Sequence, residues 1–183
     1  MFEHGVMIMK LVFPSLLYKE KAIKFINEFY EYNSDINGTG GLDGYLKNSA
    51  YEEWIKKVYA DMDIANIPQQ RVPALTYFYI REDDDKIIGM INIRLALNDF
   101  LKKEGGHIGY CIRPTERKKH YATDMLNSAL KVCDTLGIKE IILTCDKINL
   151  ASSNVIKNCK GELVAEFYSD TYKEDIQKYI IKR

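Results

Sequence analysis

The chain has 183 residues, 46% of them hydrophobic, so it is long enough to bury one full core, and residues 1–183 are predicted to form a single domain. Lysine and arginine together number 26, as do aspartate and glutamate, which argues against nucleic acid as a partner because such binders usually carry a basic excess. The four cysteines lack the Cys-x-x-Cys spacing of zinc ligands. Reduced thiols, no metal site and a cytoplasmic location are therefore expected.

The first third of the chain predicts a strand followed by helices. The apolar run in residues 1–13 is too short to span a bilayer, so no membrane partner is expected, and residues 6–13 predict a strand. The hydrophobic spacing of residues 16–32 predicts a helix, and the glycine-rich residues 33–44 predict a loop. A second amphipathic helix is predicted at residues 45–62, broken near Ser49. Trp54 in that helix either lines a substrate cleft or packs on the core.

The remainder of the chain alternates strands and helices. Residues 75–81 and 86–95 are β-rich runs joined by an acidic turn that is typical of a solvent-facing hairpin. The later predicted elements are a strand at 107–113, a helix at 122–136 ending at Gly137, a strand at 138–145, a helix at 151–158 and antiparallel strands at 162–169 and 176–182. Because Ile141 to Leu143 are apolar in succession, the strand at 138–145 is predicted to be buried on both faces, as in a partly parallel sheet. This order predicts an α/β fold.

A cationic segment joins the strand at 107–113 to the following helix. Its cations are Arg113, Arg117, Lys118 and Lys119. They lie at the helix N-terminus, where the helix dipole disfavours positive charge and where up to four backbone N–H groups lack partners, which is typical of a phosphate or pyrophosphate site. The alternative is a solvated basic loop whose charges balance Glu116 and Asp124. Charge alone does not decide between the two.

This segment resembles the cofactor-binding motif of the GCN5-related N-acetyltransferases (GNAT). The motif reads Arg/Gln-x-x-Gly-x-Gly/Ala; Arg117 and Ala122 occupy its ends, and His120 stands in place of its first glycine. Residues 106–110 and 143–152 also resemble one bacterial branch of that family. The resemblance implies a GNAT-type acyl-CoA N-acyltransferase fold, with a mixed central β-sheet flanked by helices, over nearly the whole chain. It also implies acetyl-CoA as the cosubstrate.

The resemblance assigns cofactor contacts as well. In the family the pantetheine arm enters between the strand before the motif and the strand after its helix, and N–H groups of the loop bind the pyrophosphate. The implied cofactor-binding residues are Cys111, Ile112, Arg113, Arg117, Lys118, Lys119, His120, Tyr121, Ala122, Thr123, Asn149 and Ser152. Asn149 is also expected to cap the following helix, and the two roles are compatible. His120 is either tolerated with its imidazole turned outward, harmful to binding, or in contact with phosphate.

Acetyl transfer requires a neutral amine, a polarised thioester carbonyl and a proton for the departing thiolate. The resemblance implies the backbone N–H of Ile112 as the oxyanion donor. His107 and Tyr110 are candidate acid–base residues, although strand alternation does not tell which way they face. The tyrosine that many relatives carry seven residues beyond the asparagine is Ile156 here, and Lys160 stands where the branch usually has glycine.

The sequence thus predicts an acetyl-CoA-dependent N-acetyltransferase that moves an acetyl group directly to a primary amine of a small molecule or peptide. The two replaced glycines leave a second function open, a catalytically weak CoA-binding regulatory or interaction module on the same fold. No motif specifies the acceptor. The oligomeric state is also left open, a homodimer included.

Overall fold

The computed structural model describes residues 7–48, 50–68 and 71–183. Its strands are β1 (Met9–Val12), β2 (Ala74–Arg81), β3 (Lys86–Arg94), β4 (Ile108–Ile112), β5 (Glu140–Asp146), β6 (Glu162–Ser169) and β7 (Glu174–Lys182). Its α-helices are α1 (Lys19–Glu31), α2 (Leu42–Leu46), α3 (Tyr51–Ala60), α4 (Tyr121–Thr135) and α5 (Leu150–Asn158). A π-helical turn covers Leu101–Gly105, and a 3-10 turn covers Pro114–Glu116 before α4. The predicted α/β fold class is confirmed.

The strands form two antiparallel sheets. The first has the order β1-β2-β3-β4, and the second has the order β5-β7-β6. Helix α4 connects β4 in the first sheet to β5 in the second. At the start of β4, the amide of His107 donates to the carbonyl of Ile142 (2.7 Å), and the amide of Ile142 donates to Nδ1 of His107 (2.9 Å). His107 therefore links the two sheets at one end.

Two apolar clusters lie on opposite faces of the first sheet. One contains Phe25 and Phe29 of α1 and Trp54 of α3. The other contains the buried stripe of α4, including Met125 and Leu126 together with residues of β5, α5 and β7. Helix α4 sits close to the sheet because Gly89 of β3 has no side chain: a Cβ there would lie 2.9 Å from Sδ of Met125. This packing fixes the N-terminus of α4 next to the end of β4.

Strand β5 differs from its prediction. It was expected to be buried on both faces, but Ile141, Leu143 and Cys145 are buried whereas Ile142 and Thr144 are partly exposed. The reason is that β5 is an edge strand whose only ladder within the described residues is with β7. The strands covered on both faces are β2 and β3, at the centre of the first sheet.

The helices predicted near the N-terminus also differ in detail. The helix predicted at residues 45–62 divides into α2 and α3, as its predicted break near Ser49 implies, but α2 begins at Leu42, inside the loop predicted at 33–44. Ser49 itself lies outside the described residues, as does the first residue of the strand predicted at 6–13. Trp54 is fully buried, and its Nε1 donates to the carbonyl of Gly40 (3.2 Å). Trp54 therefore belongs to the core and not to a cleft. No helix in the described part of the chain has the length and apolar character needed to cross a membrane.

Lys160, in place of glycine, adopts a left-handed backbone (φ +67°) just after α5. The amide of Gly161 closes the helix on the carbonyl of Ile156 (2.9 Å), the pattern in which glycine is preferred at the left-handed position. We expect Lys160→Gly to raise the free energy of unfolding by about 0.5 kcal/mol, since glycine removes the Cβ strain but enlarges the unfolded ensemble. Urea unfolding measures this change.

The matched control is Lys157→Gly, which places the same substitution inside α5. It is expected to lower the free energy of unfolding by about 0.5–1 kcal/mol, because a helical position gains no relief from glycine. Destabilisation of similar size by both variants would refute the assignment of strain to Lys160.

Candidate functional site

One edge of β4 has no neighbouring strand in the described part of the chain. The amide of Arg94 donates to the carbonyl of His107 (2.7 Å), and the amide of Arg113 donates to the carbonyl of Ile88 (2.9 Å). The backbone N–H and C=O groups of residues 109, 111 and 113 therefore face β3, whereas the amide of His107 turns to β5. Alternation then directs the N–H and C=O groups of Tyr110 and Ile112 to the opposite edge, toward β5. These two residues are the ones whose backbone can meet a ligand in the gap between β4 and β5.

The structure gives Cys111 and Arg113 other partners. Cys111 pairs with Met90 in the ladder, and burial raises the pKa of its thiol to about 12. Arg113 uses its amide in the ladder, and its guanidinium donates to Oε2 of Glu28 (2.7 Å). The predicted backbone contacts of Cys111 and Arg113 with the cofactor are therefore wrong in this geometry, because alternation turns both residues toward β3. The amide of Ile112 faces the gap, so its predicted role as oxyanion donor stays a prediction.

Tyr110 spans the gap between β4 and the helix that follows β5. Its hydroxyl lies 3.0 Å from Oγ of Ser152 in the first turn of α5. Burial raises the pKa of Tyr110, so its phenol stays protonated throughout the neutral range. The arrangement places a proton donor and a hydroxyl inside the gap.

Asn149 caps α5 as predicted. Its Oδ1 accepts a hydrogen bond from the amide of Ser152 (3.0 Å), which leaves its Nδ2 group without a partner in the described residues. The cap holds the side chain next to Ser152, and Ser152 is bonded to Tyr110. Asn149 can thus donate to a ligand without giving up its cap.

His107 lies at the closed end of the gap. Its Nδ1 accepts the amide of Ile142, so the neutral ring carries its proton on Nε2. Burial, followed by the nearby charge of Arg94, lowers the pKa of His107. His107 therefore joins β4 to β5 as a neutral imidazole, and its Nδ1 is not available as a base.

Two cations of the cationic segment, Arg113 and Lys119, pair with carboxylates inside the fold. Glu116 is 4% exposed and accepts from Lys119 (2.8 Å), Lys86 (2.7 Å) and Arg81 (3.3 Å). Burial would raise the pKa of Glu116, but these three cations lower it to about 2. The sequence predicted that an external anion balances the charge of the cations in this segment. For Lys119 that prediction is wrong, because Glu116 balances its charge.

Glu28 of α1 is a second internal counter-ion that the sequence analysis missed. Besides binding Arg113, it accepts the amide (3.0 Å) and the hydroxyl (2.8 Å) of Thr115. Burial would raise the pKa of Glu28, but the bonds from Thr115 and Arg113 outweigh it and hold the pKa below its usual value. No local signal could have revealed this contact, because Glu28 lies 85 residues from Arg113.

Arg117 ties the segment to the open edge of β4. Its Nε donates to the carbonyl of Ile112 (3.1 Å), Nη2 donates to Oγ of Ser34 (2.7 Å), and the guanidinium lies over the ring of Phe29. The neighbouring Lys118 is exposed and makes no ion pair within the described residues. In the part of the chain described, neither Arg117 nor Lys118 pairs with a carboxylate; Arg117 uses its donors on neutral groups, and Lys118 leaves its whole charge for a ligand.

The backbone at the start of α4 offers a run of hydrogen-bond donors. The amides of residues 118–123 have no acceptor among the described residues, whereas the amide of Arg117 bonds the carbonyl of Pro114 (3.4 Å). Lys118 (φ +61°) and His120 (φ +65°) adopt left-handed conformations, which turn successive N–H groups toward one side. Lys118, Lys119, His120, Tyr121, Ala122 and Thr123 therefore form a cradle that fits a diphosphate.

The conformation of His120 explains why glycine is usual at its position. It directly precedes α4 in the left-handed region, where a Cβ is disfavoured. Its imidazole is exposed to solvent. Within the described residues, no group of three or more His, Cys, Asp or Glu side chains is placed to hold a metal ion.

Residues 27–162 match a family model described as the acetyltransferase (GNAT) domain. No curated protein matches the chain. Among solved structures, the chain is similar to the microcin C7 self-immunity acetyltransferase MccE in complex with acetyl-CoA and AMP, with 18% identity, a TM-score of 0.69 and coverage of 96% of this chain and 92% of that one.

Two further solved structures are similar. The ribosomal L7/L12 α-N-protein acetyltransferase RimL in complex with coenzyme A is 16% identical, with a TM-score of 0.68 and coverage of 95% of this chain and 93% of that one. The ribosomal-protein-S5-alanine acetyltransferase from Vibrio fischeri is 15% identical, with a TM-score of 0.66 and coverage of 99% and 95%. At these identities the likeness shows a shared fold.

The link between His107 and Ile142 predicts a pH dependence of stability. Because the folded pKa of His107 is lowered, its contribution is complete above the unfolded value of about 6.5 and is lost as the pH falls from there toward the folded value. Urea unfolding of the wild type is expected to show a loss of stability between pH 7.5 and pH 5.5. His107→Asn, whose Oδ1 can accept the same amide, should show a smaller loss, and an equal loss in both proteins would contradict the assignment.

Proposed function

Because the chain belongs to the GNAT acetyltransferases, we propose that it transfers the acetyl group of acetyl-CoA directly to a primary amine of a small molecule or peptide. Family membership makes the chain an N-acetyltransferase with acetyl-CoA as its cosubstrate. The observation that carries the proposal is the continuity of two sets of backbone donors. Arg117 joins the cradle at residues 118–123 to the open edge of β4 by bonding the carbonyl of Ile112 (3.1 Å).

The binding roles follow from this continuity. The amides of residues 118–123 bind the diphosphate, and Lys118 adds a charge that no internal carboxylate neutralises. The backbone of Tyr110 and Ile112 lies along the gap, where an extended amide chain can bond it as a neighbouring strand would. From the other side of the gap, Nδ2 of Asn149 donates to an amide carbonyl. Acetyl-CoA, when bound, supplies the thioester whose acetyl group is transferred.

The chemical roles use the same edge. The N–H of Ile112 stabilises the negative charge that develops on the acetyl oxygen, because it is held in place by the strand before the reaction begins. As the C–S bond breaks, the protonated phenol of Tyr110 gives its proton to the departing thiolate and regains one from solvent, with Ser152 orienting its hydroxyl at 3.0 Å. His107 positions β4 against β5. The amine enters in its neutral form and loses its proton to solvent.

Calorimetry with acetyl-CoA and desulfo-CoA, together with thiol release across a panel of primary amines, tests the proposal. Both ligands should bind, and at least one amine should release CoA. Tyr110→Phe should lower the turnover number about tenfold or more, at the low end of general-acid effects because a thiolate is a weakly basic leaving group. Its affinity for acetyl-CoA should change little, since the hydroxyl does not hold the phosphates.

Tyr179→Phe is the matched control. The hydroxyl of Tyr179 in β7 lies 2.8 Å from Oγ of Ser153, which follows Ser152 in α5. Both residues are buried in the core, outside the gap. This variant should keep wild-type turnover once its folding is verified. Absence of binding of both ligands at high micromolar concentration would overturn the proposed site, and binding without thiol release from any amine would overturn catalysis by it.

Asn149 is predicted to have two separable roles. Asn149→Ala should lower the free energy of unfolding by about 1 kcal/mol by removing the cap, and should weaken CoA binding about threefold to tenfold by removing the amide donor. Asn149→Ser retains a capping oxygen but not the amide N–H. It should keep most of the stability and show the same loss of affinity in calorimetry. Wild-type affinity in Asn149→Ser would show that Asn149 only caps the helix.

A further inference from the structure

A cavity of about 420 Å³ opens beside the first sheet, on the face that carries α1 and α3. Its lining includes the glycine-rich loop 38–41, Asn92 and Arg94 of β3, and the charged side chains of Lys57, Asp61 and Arg71. This volume falls in the range of small-molecule sites. The cavity lies outside the cradle and gap assigned above to acetyl-CoA.

The cavity adjoins the reactive stretch of β4. Gly38 packs directly on β4: a Cβ built on Gly109 would lie 3.4 Å from Cα of Gly38 and 3.9 Å from Nη2 of Arg94. The converse approach is closer, since a Cβ on Gly38 would lie 2.2 Å from the carbonyl oxygen of Gly109. Gly109 immediately precedes Tyr110, whose backbone faces the gap. Gly38, in the lining of the cavity, therefore contacts β4 at Gly109, which is one residue before Tyr110 and three before Ile112.

The charge in the cavity is positive. Lys57 and Arg71 share the carboxylate of Asp61, with Lys57 at 2.7 Å and Arg71 in direct contact. Arg94 has no carboxylate partner within the described residues; its Nη1 donates to the carbonyls of Gly105 and Gly106 (2.9 Å each). Burial lowers the pKa of Arg94, as expected for a cation whose charge is not compensated. Three cations thus face one carboxylate.

We propose that this cavity binds the acceptor and that the acceptor is a small primary amine carrying an anionic group, a carboxylate or a phosphate, bound by Arg94. The proposal rests on the proposed function and specifies its substrate class. Nη2 of Arg94 makes no hydrogen bond to a described residue and is placed to complete the pairing with an anion.

The same charge favours the chemistry and disfavours other acceptors. A positive environment lowers the pKa of a bound amine, which increases the neutral fraction that can attack. The positive charge also repels polycationic amines. Asp61 is the carboxylate in the described lining of the cavity, and it already pairs with Lys57 and Arg71. Specificity thus comes from an unpaired cation that an anionic acceptor satisfies and a neutral or cationic one does not.

Binding to the CoA-saturated protein tests the proposal without requiring turnover. Calorimetry compares glucosamine 6-phosphate with glucosamine, and γ-aminobutyrate with butylamine, with spermidine and a short C-terminally amidated peptide without acidic side chains as further probes. In at least one pair, the amine that carries the phosphate or carboxylate should bind about tenfold tighter than the amine that lacks it, a difference of about 1.4 kcal/mol. The two pairs distinguish phosphate from carboxylate. Equal affinity within both pairs, or preference for spermidine or the peptide, would overturn the proposal.

Arg94→Gln removes the charge but keeps donors for the carbonyls of Gly105 and Gly106, and Arg94→Lys keeps the charge. Arg94→Gln should lose about tenfold in affinity for the anionic amine only, and Arg94→Lys should recover part of it. Lys131→Gln, at an exposed site on α4, should behave as wild type. Unchanged CoA affinity in each variant shows that the fold is intact, and an equal loss for all amines in Arg94→Gln would contradict the role.

Thiol release with the same amines separates the two proposals. If no amine releases CoA while the anionic probes still bind in an Arg94-dependent manner, the proposed function fails and the assignment of the cavity stands. If amines are acetylated without regard to charge, the proposed function stands and the assignment of the cavity fails.

Discussion

Among the described residues, β4 pairs with β3 along one edge and is hydrogen-bonded to β5 through His107, so its other edge leaves the N–H and C=O of Tyr110 and the N–H of Ile112 without a partner. An open edge inside a protein costs free energy unless something occupies it, and it also invites pairing with other chains. Here it is partly protected: Arg117 bonds the carbonyl of Ile112, and the side chain of Tyr110 reaches across to Ser152. The site exists because the two sheets share an end and then separate.

Internal counter-ions shape the electrostatics of both proposed binding regions. Glu116 neutralises Lys119 together with Lys86 and Arg81, and Glu28 neutralises Arg113, so in the proposed site the start of α4 binds an anion mainly through backbone N–H groups. The cavity beside β4 has the opposite arrangement, because Arg94 lacks such a carboxylate among the described residues. A diphosphate needs many donors at fixed spacing, which a backbone supplies, whereas a small anionic acceptor needs one strong charge. As proposed, the two regions therefore recognise anions by different means.

Much of the fold was predictable from local pattern. The order of strands and helices, the end of α4 before Gly137 and the cap at Asn149 all follow from periodicity and terminal residues. The pairing of the strands was less predictable. Three successive apolar residues in β5 indicated a strand buried on both faces, but its place at the edge of the second sheet depends on contacts with β7, which is distant in sequence. The partners of Arg113 and Glu116 were hidden for the same reason. The site itself was predicted through a family motif, and the orientation of Cys111 and Arg113 required the register with β3.

Two positions at which the family usually has glycine are occupied by His120 and Lys160 in this chain. His120 and Lys160 both keep the left-handed conformation that glycine would adopt, with φ of +65° and +67°. The direction of the N–H groups after His120 is set by that conformation and not by the side chain, which is exposed to solvent. Substitution there therefore costs conformational free energy while the donors keep their positions. Replacement of the glycine by His120 is therefore expected to lower the free energy of unfolding. It does not by itself abolish the cradle, because His120 keeps the backbone conformation that directs the amides.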